Sequence, residues 1–226
     1  MKLSLDTANL DEIREANRWG VLRGVTTNPT HIAKEKKDFL PLVKEICSMV
    51  DGDVSIETVG DDPDGLVEQG REIAQIAGNA VVKIALTPNG LAATQKLSGE
   101  GVKVNNTLCF TAAQAILSAE AGAYIVSPFL GRLDDISTDG LRGLADICEI
   151  YAVQGYKTQV LAASLRHPVH VVEAAKMGAD IATMPFKVFM SLIKHPLTDT
   201  GFDKFMNDWR EAKPNLGELP SSMQEA

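Results

Sequence analysis

The chain has 226 residues, 45% hydrophobic and 23% charged, which suits one domain with a substantial core; at 5% aromatic content that core must be mostly aliphatic. A net charge of −8 argues against nucleic acid as a partner, and no apolar stretch approaches the ~20 residues of a membrane helix. Three scattered cysteines, Cys47, Cys109 and Cys148, lack CxxC spacing, which argues against a disulfide framework or a zinc ribbon and suits a reducing cytoplasm.

The first strand candidate, residues 2–6, carries Leu3 and Leu5 on one face and Ser4 and Asp6 on the other. Its opening, Met1-Lys2-Leu3-Ser4-Leu5-Asp6, is charged too soon for a signal peptide, so a cytoplasmic protein is expected. An amphipathic stretch at 9–18 follows. The second strand, 23–26, runs into Gly24-Val25-Thr26-Thr27-Asn28-Pro29, read as a loop of small hydroxyl and amide side chains. A helix over 38–50 leads to strand 53–58, where Val54 and Ile56 oppose Ser55 and Glu57.

After a helix at 64–77 comes strand 81–86, Val-Val-Lys-Ile-Ala-Leu, with Lys83 alone among apolar residues. A buried ammonium is costly unless something uses it, and a desolvated amine can attack a carbonyl to form a Schiff base. The other reading is a lysine that snorkels to water or pairs with a carboxylate. Thr87-Pro88 opens a helix at 90–98, with proline in the first turn.

Strand 102–107 sets Lys103, Asn105 and Thr107 against Val102 and Val104. Beyond a helix at 111–121, strand 123–127 sets Ile125, Ser127 and Phe129 against Tyr124 and Val126, and Gly131-Arg132 follows. A helix at 138–153 precedes strand 158–163, where Ala162 and Ser164 are expected inward, opposite Leu161 and Ala163. Ser164-Leu165-Arg166 then leads to His167-Pro168 and a helix at 168–177. His167 and His170 could share a helix face, but Pro168 intervenes and no acidic third ligand is near in sequence, so no metal site is expected. Strand 180–183 and a helix at 185–194 complete eight strand–helix units.

Eight such units imply a (β/α)8 barrel, an α/β fold. A doubly wound sheet would place a glycine-rich loop after the first strand, where Asp6-Thr7-Ala8-Asn9 has no glycine. Gly20, Gly78, Gly122, Gly155 and Gly178 are expected as left-handed helix caps. One more helix carries Phe202, Phe205, Met206 and Trp209 as an apolar stripe that covers either its own barrel or a neighbouring subunit. The catalytic domain with this helix is drawn at 1–212 and a flexible tail at 213–226.

The polar parity of five strands therefore converges on their carboxyl ends, where barrel active sites lie. Arg132 and Arg166 at that rim, with Ser164, suit an anion such as phosphate.

Asp6-Thr7-Ala8, Gly24-Val25-Thr26-Thr27-Asn28-Pro29, Val82-Lys83-Ile84, Asn105-Asn106-Thr107-Leu108, Ser127-Pro128-Phe129-Leu130-Gly131-Arg132 and Ala163-Ser164-Leu165-Arg166 together resemble the transaldolase family. The length resembles its small subfamily, which includes the fructose-6-phosphate aldolases, and the resemblance covers roughly residues 1–212. It implies a metal-free, cofactor-free class I enzyme of the pentose phosphate pathway. By position, Lys83 resembles the Schiff-base lysine and Asp6 the general acid/base, while Glu57 and Thr107 resemble the pair that holds the catalytic water. Asn28, Asn105 and Ser127 resemble the residues around the dihydroxyacetone hydroxyls, beside Thr26 and Phe129; Arg132, Ser164 and Arg166 resemble the phosphate site.

Glutamate at 57 and phenylalanine at 129 are the transaldolase choices, where the aldolases resemble one another in having glutamine and tyrosine. The implied reaction transfers dihydroxyacetone from sedoheptulose 7-phosphate or fructose 6-phosphate to glyceraldehyde 3-phosphate or erythrose 4-phosphate. The alternatives are an aldolase that releases free dihydroxyacetone and a non-catalytic sugar-phosphate-binding barrel. Ala85, His31 and Phe186 depart from the family's pattern. The resemblance also implies a homo-oligomer, a pentamer or decamer.

Overall fold

Eight short aliphatic runs make the strands of the computed structural model, which describes residues 1–224. They are β1 (Lys2–Asp6), β2 (Leu22–Thr26), β3 (Asp53–Glu57), β4 (Ala80–Ala85), β5 (Val104–Cys109), β6 (Ile125–Pro128), β7 (Gln159–Ala162) and β8 (Ile181–Met184). The helices are α1 (Leu10–Asn17), α2 (Pro29–Glu35), α3 (Phe39–Met49), α4 (Pro63–Ala74), α5 (Pro88–Gly99) and α6 (Ala112–Glu120). They continue with α7 (Leu130–Asp134), α8 (Gly140–Gln154), α9 (Pro168–Lys176), α10 (Phe186–Ser191), α11 (Pro196–Ala212) and α12 (Ser221–Gln224).

Each strand pairs in parallel with the next, and β8 returns to β1, closing the (β/α)8 barrel that the alternation of runs predicts. Register sets the site: Asp6 lies level with Thr26, Glu57 with Lys83, and Lys83 with Asn105.

The outward parity is aliphatic. Leu5, Val25, Val54, Ile56, Val82, Ile84, Val104 and Val126 are fully buried, each contributing about 1.5–3 kcal/mol through burial under the helices. Asn106 is the polar exception. It donates to Thr94 Oγ1 of α5 at 2.8 Å and accepts from Ser118 Oγ of α6 at 2.8 Å, so its buried amide is satisfied on both sides.

The inward parity is divided. Ile125, Leu161, Ala163 and Ile181 form an apolar cluster on the β6–β8 side, whereas Ser4, Ser55, Lys83 and Asn105 are buried polar residues of β1 and β3–β5. At the amino ends of the strands Asp53 binds Lys103 Nζ and Tyr124 Oη, both at 3.1 Å.

Three expectations are corrected. The inward parity of β7 is the reverse of the one predicted: Leu161 and Ala163 face the interior. Ser164 reaches the cavity only because its φ of 59° breaks the alternation. Gly78 has no left-handed φ, although Gly20, Gly122, Gly155 and Gly178 have one. No element is predicted over residues 29–35, where helix α2 forms, its start being Asn28 accepting from His31 N at 2.9 Å with Pro29 next. No residue of α2 is buried, so it has no apolar face for periodicity to reveal.

The chain divides into two compact units, Met1–Met190 and Ser191–Ala226. In the second, α11 carries the predicted stripe; Phe202 and Phe205 are exposed, Met206 and Trp209 half-buried, and Leu197 is exposed near the helix start. Of the tail at 213–226, Lys213–Asn215 form a 3-10 turn and Ser221–Gln224 a short helix, while 225–226 lie outside the described residues. No helix among the described residues is long and apolar enough to cross a membrane.

Candidate active site

Lys83 projects from the middle of the barrel and is 4% exposed. Its Nζ donates to the Thr27 carbonyl at 2.8 Å and lies 3.0 Å from Glu57 Oε2. The reading of a lysine paired with a carboxylate is met, and the same amine opens onto a cavity of about 460 Å³.

The cavity sits at the carboxyl ends of the strands. Asp6, Thr26, Asn28, Glu57, Lys83 and Thr107 line one side of it. Ser127, Phe129, Arg132, Ser164 and Arg166 line the other. Asn105 is the one predicted site residue that does not reach the wall. It is fully buried beneath it, accepting from Ser127 Oγ at 2.6 Å and donating to Ser55 Oγ at 3.0 Å. This chain of polar groups holds the Ser127 hydroxyl from below.

Asp6 has both carboxylate oxygens engaged. Oδ1 accepts from Thr26 Oγ1 at 2.9 Å, and Oδ2 lies 3.3 Å from His31 Nε2. Thr26 Oγ1 also lies 2.8 Å from Thr183 Oγ1, which ties β2 to β8 across β1. Burial pushes the Asp6 carboxyl up, but hydrogen bonds from His31 and Thr26 and the charges of Lys83 and His31 outweigh it and leave it below its ordinary value. Thr107 Oγ1 is buried with no hydrogen-bond partner among the described residues, an orphan hydroxyl on the cavity wall.

On the opposite wall Arg132 lies over the Phe129 ring, 5.0 Å from its centroid. Arg166 pairs with Asp135 at 2.6 Å and crosses Gly131 so closely that a β-carbon there would lie 2.2 Å from its Nε. His170 fixes the start of this segment. Its Nδ1 accepts from Arg166 N at 3.3 Å, which leaves Nε2 to donate to Asp134 Oδ2 at 3.2 Å. Burial and the neighbouring His167 hold the His170 imidazole below its ordinary value despite Asp134. Asp134 is thus an acidic group beside the histidine pair, distant in sequence but not in space, and no cluster among the described residues could hold a metal ion.

Sequence reasoning missed Thr30, His31, Leu108 and Thr183 as lining residues, besides Leu161 and Ala163, whose parity it reversed. Thr183 had a signal in the parity of β8. Leu108 had none, because its φ of 59° is a property of the fold.

The family described as Transaldolase/Fructose-6-phosphate aldolase matches residues 3–219. A protein of Thermoanaerobacter sp. (strain X514), named "Probable transaldolase", is 56% identical over 212 residues, covering 94% of this chain and 98% of that protein. "Probable transaldolase 1" of Listeria monocytogenes serotype 4b (strain F2365) is 55% identical, covering 94% of this chain and all of that one (100%). Among solved structures, a thiamine phosphate pyrophosphorylase from Pyrococcus furiosus superposes with a TM-score of 0.56 at 17% identity. That match covers 84% of this chain and 93% of the other, a likeness of fold alone. A lysine paired at the floor of a closed eight-stranded barrel, a family match over nearly the whole chain and relatives above half identity lead to one conclusion: this chain is an enzyme of the transaldolase/fructose-6-phosphate aldolase family.

Proposed function

We propose that the protein is a transaldolase, moving a dihydroxyacetone unit from a ketose phosphate to an aldose phosphate through a Schiff base on Lys83. The observation that carries the reading is the convergence of a buried amine, two carboxylates and an orphan hydroxyl on one wall of a cavity whose other wall bears two arginines.

In the proposed sequence Lys83 passes a proton to Glu57, 3.0 Å away, and attacks the C2 carbonyl of sedoheptulose 7-phosphate or fructose 6-phosphate. Loss of water gives a protonated imine. Asp6 takes the C4 hydroxyl proton, the C3–C4 bond breaks, and its electron pair moves into the imine to leave an enamine. The aldose phosphate departs as an aldehyde. Attack of the enamine on glyceraldehyde 3-phosphate or erythrose 4-phosphate reverses these steps, with Asp6 returning the proton, and water then frees Lys83.

Glu57 and the Thr107 hydroxyl are suited to hold that water, and Arg132, Ser164 and Arg166 to hold the phosphate. Asn28 and Ser127, both on the cavity lining, are suited to bind the dihydroxyacetone hydroxyls. No protein group at 129 offers a hydroxyl that would direct water at the imine. The three unpaired cysteines support a reducing cytoplasm. The stripe of Phe202, Phe205, Met206 and Trp209, with Phe202 and Phe205 exposed, supports assembly of copies of this chain into a homo-oligomer, which light scattering on the eluting protein would measure.

The test is glyceraldehyde 3-phosphate formation from fructose 6-phosphate in chelator, with and without erythrose 4-phosphate. Product only with the acceptor, together with a borohydride adduct on the Lys83 peptide, is expected. Comparable product without acceptor would instead make the enzyme an aldolase. Binding without turnover or adduct would make it a non-catalytic barrel.

A further inference from the structure

His31 is a sequence departure that the fold brings into the site. Asn28 caps α2 and Pro29 starts it, so His31 falls in the first turn, and its own N–H is bound by the Asn28 side chain at 2.9 Å. That capped turn aims the imidazole back toward β1. Its side chain is 24% exposed, and Nε2 stops 3.3 Å from Asp6 Oδ2. From the other side Thr26 Oγ1 reaches Asp6 Oδ1 at 2.9 Å, itself backed by Thr183 at 2.8 Å.

We infer that His31 is a positioning residue, clamping the Asp6 carboxylate between helix α2 and the barrel wall so that it presents one fixed orientation to the cavity. The inference rests on the proposal that Asp6 exchanges a proton with the substrate hydroxyl. A carboxylate on a strand end is free to rotate about its last torsion. With one oxygen bound by a barrel threonine and the other by an imidazole from a different element, rotation breaks both bonds.

The other charged groups around Asp6 are accounted for. Lys83 acts on it from β4 and is itself paired with Glu57 of β3. Glu12 is bound by Thr7 Oγ1 at 2.6 Å, and Glu35 by Asn9 Nδ2 at 3.3 Å. Among the influences that lower the Asp6 carboxyl's proton affinity, the hydrogen bond from His31 is the largest. The hydrogen bond needs only the Nε2–H, and a charge on the imidazole adds to it.

The experiment follows the Asp6 side-chain carboxyl by 13C NMR across a pH titration, beside kcat and KM, in wild type, His31→Leu and His31→Gln. Glutamine offers an N–H donor at the same reach, and leucine offers none. Leucine is expected to move the Asp6 titration to higher pH and to lower kcat on the order of 10-fold through lost orientation, with KM little changed. Glutamine is expected to restore most of kcat and, because it carries no charge, only part of the titration shift. A titration unmoved by leucine, or a glutamine variant no nearer to wild type than leucine, overturns the inference. Thermal melts of both variants separate a folding defect from a positioning one. The carboxyl titration needs no turnover, so a failed Lys83 adduct in wild type would sink the Schiff-base proposal by a different measurement.

Discussion

Lys83 Nζ and Glu57 Oε2 lie 3.0 Å apart with both side chains largely withdrawn from water, at 5% and 15% exposure. The pair is level in the sheet, and a third group, the Thr27 carbonyl, takes another of the ammonium's hydrogens at 2.8 Å. Such a pair is weak ground for stability, since desolvation offsets its attraction, but removing one member strands the other. We expect Lys83→Met to abolish the borohydride adduct and activity and to cost about 3 kcal/mol by leaving Glu57 unpaired. The double variant with Glu57→Gln should recover most of that loss. Denaturant midpoints for the four members of the cycle give the coupling directly.

Asp6 makes a prediction about acid. Its folded-state proton affinity is lower than its ordinary value of 3.8, so the folded protein binds fewer protons than the unfolded chain as pH approaches that value. The stability this contributes is present above the unfolded value and is lost as pH falls through the folded one. Asp6→Asn should therefore differ from wild type by a constant amount near neutrality, and the gap should close below about pH 4. Unfolding curves from pH 7 down to pH 3 measure it. A gap that widened in acid would reverse the sign and contradict the account of Asp6.

Phe129 packs edge-on against Phe110 at 5.8 Å and lies under Arg132. A tyrosine there would bring a hydroxyl to the cavity wall. Phe129→Tyr is expected to raise release of free dihydroxyacetone relative to transfer, read as the ratio of the two products from fructose 6-phosphate. An unchanged ratio removes Phe129 from the control of water.

If Arg166 holds the substrate phosphate as proposed, Asp135 would compete for it. Their contact at 2.6 Å joins two well-exposed side chains, and such a pair is worth up to about 1 kcal/mol. Asp135→Asn should lower KM for phosphorylated substrates by no more than about 5-fold and leave kcat alone. The opposite effect is expected of Gly131→Ala, whose added carbon would lie 2.2 Å from both Arg166 Nε and the Ser164 carbonyl. That change should raise KM for the phosphorylated substrate above its effect on a substrate lacking phosphate.

Much of this could be read from residue order. Period-two alternation placed the inward Ser4, Asp6, Ser55, Glu57, Asn105, Thr107 and Ser127 correctly, because consecutive strand residues point to opposite faces. The same rule failed in β7, where two small residues, Ala162 and Ala163, carry no polarity contrast to tell inside from outside. Alternation held at Asn105-Asn106, but polarity gave no contrast there: both are fully buried amides, one beneath the cavity and one locking α5 and α6. His31 was visible as an odd residue, but nothing in a linear reading says that a capped turn folds it onto Asp6. The pairing of Arg166 with Asp135 was equally hidden, since it depends on how α7 returns over the β7 loop.

The Thr26–Thr183 contact has a consequence for the order in which the molecule comes into being. β1 is made first and β8 nearly last, yet they lie side by side, and the hydroxyl that holds Asp6 is braced by a residue from the final strand. Lys83 and Glu57, by contrast, come from strands that are consecutive in the chain and adjacent in the sheet. Asp6 gains its full setting only at ring closure. The last strand in the chain thus completes the setting of a carboxylate carried by the first.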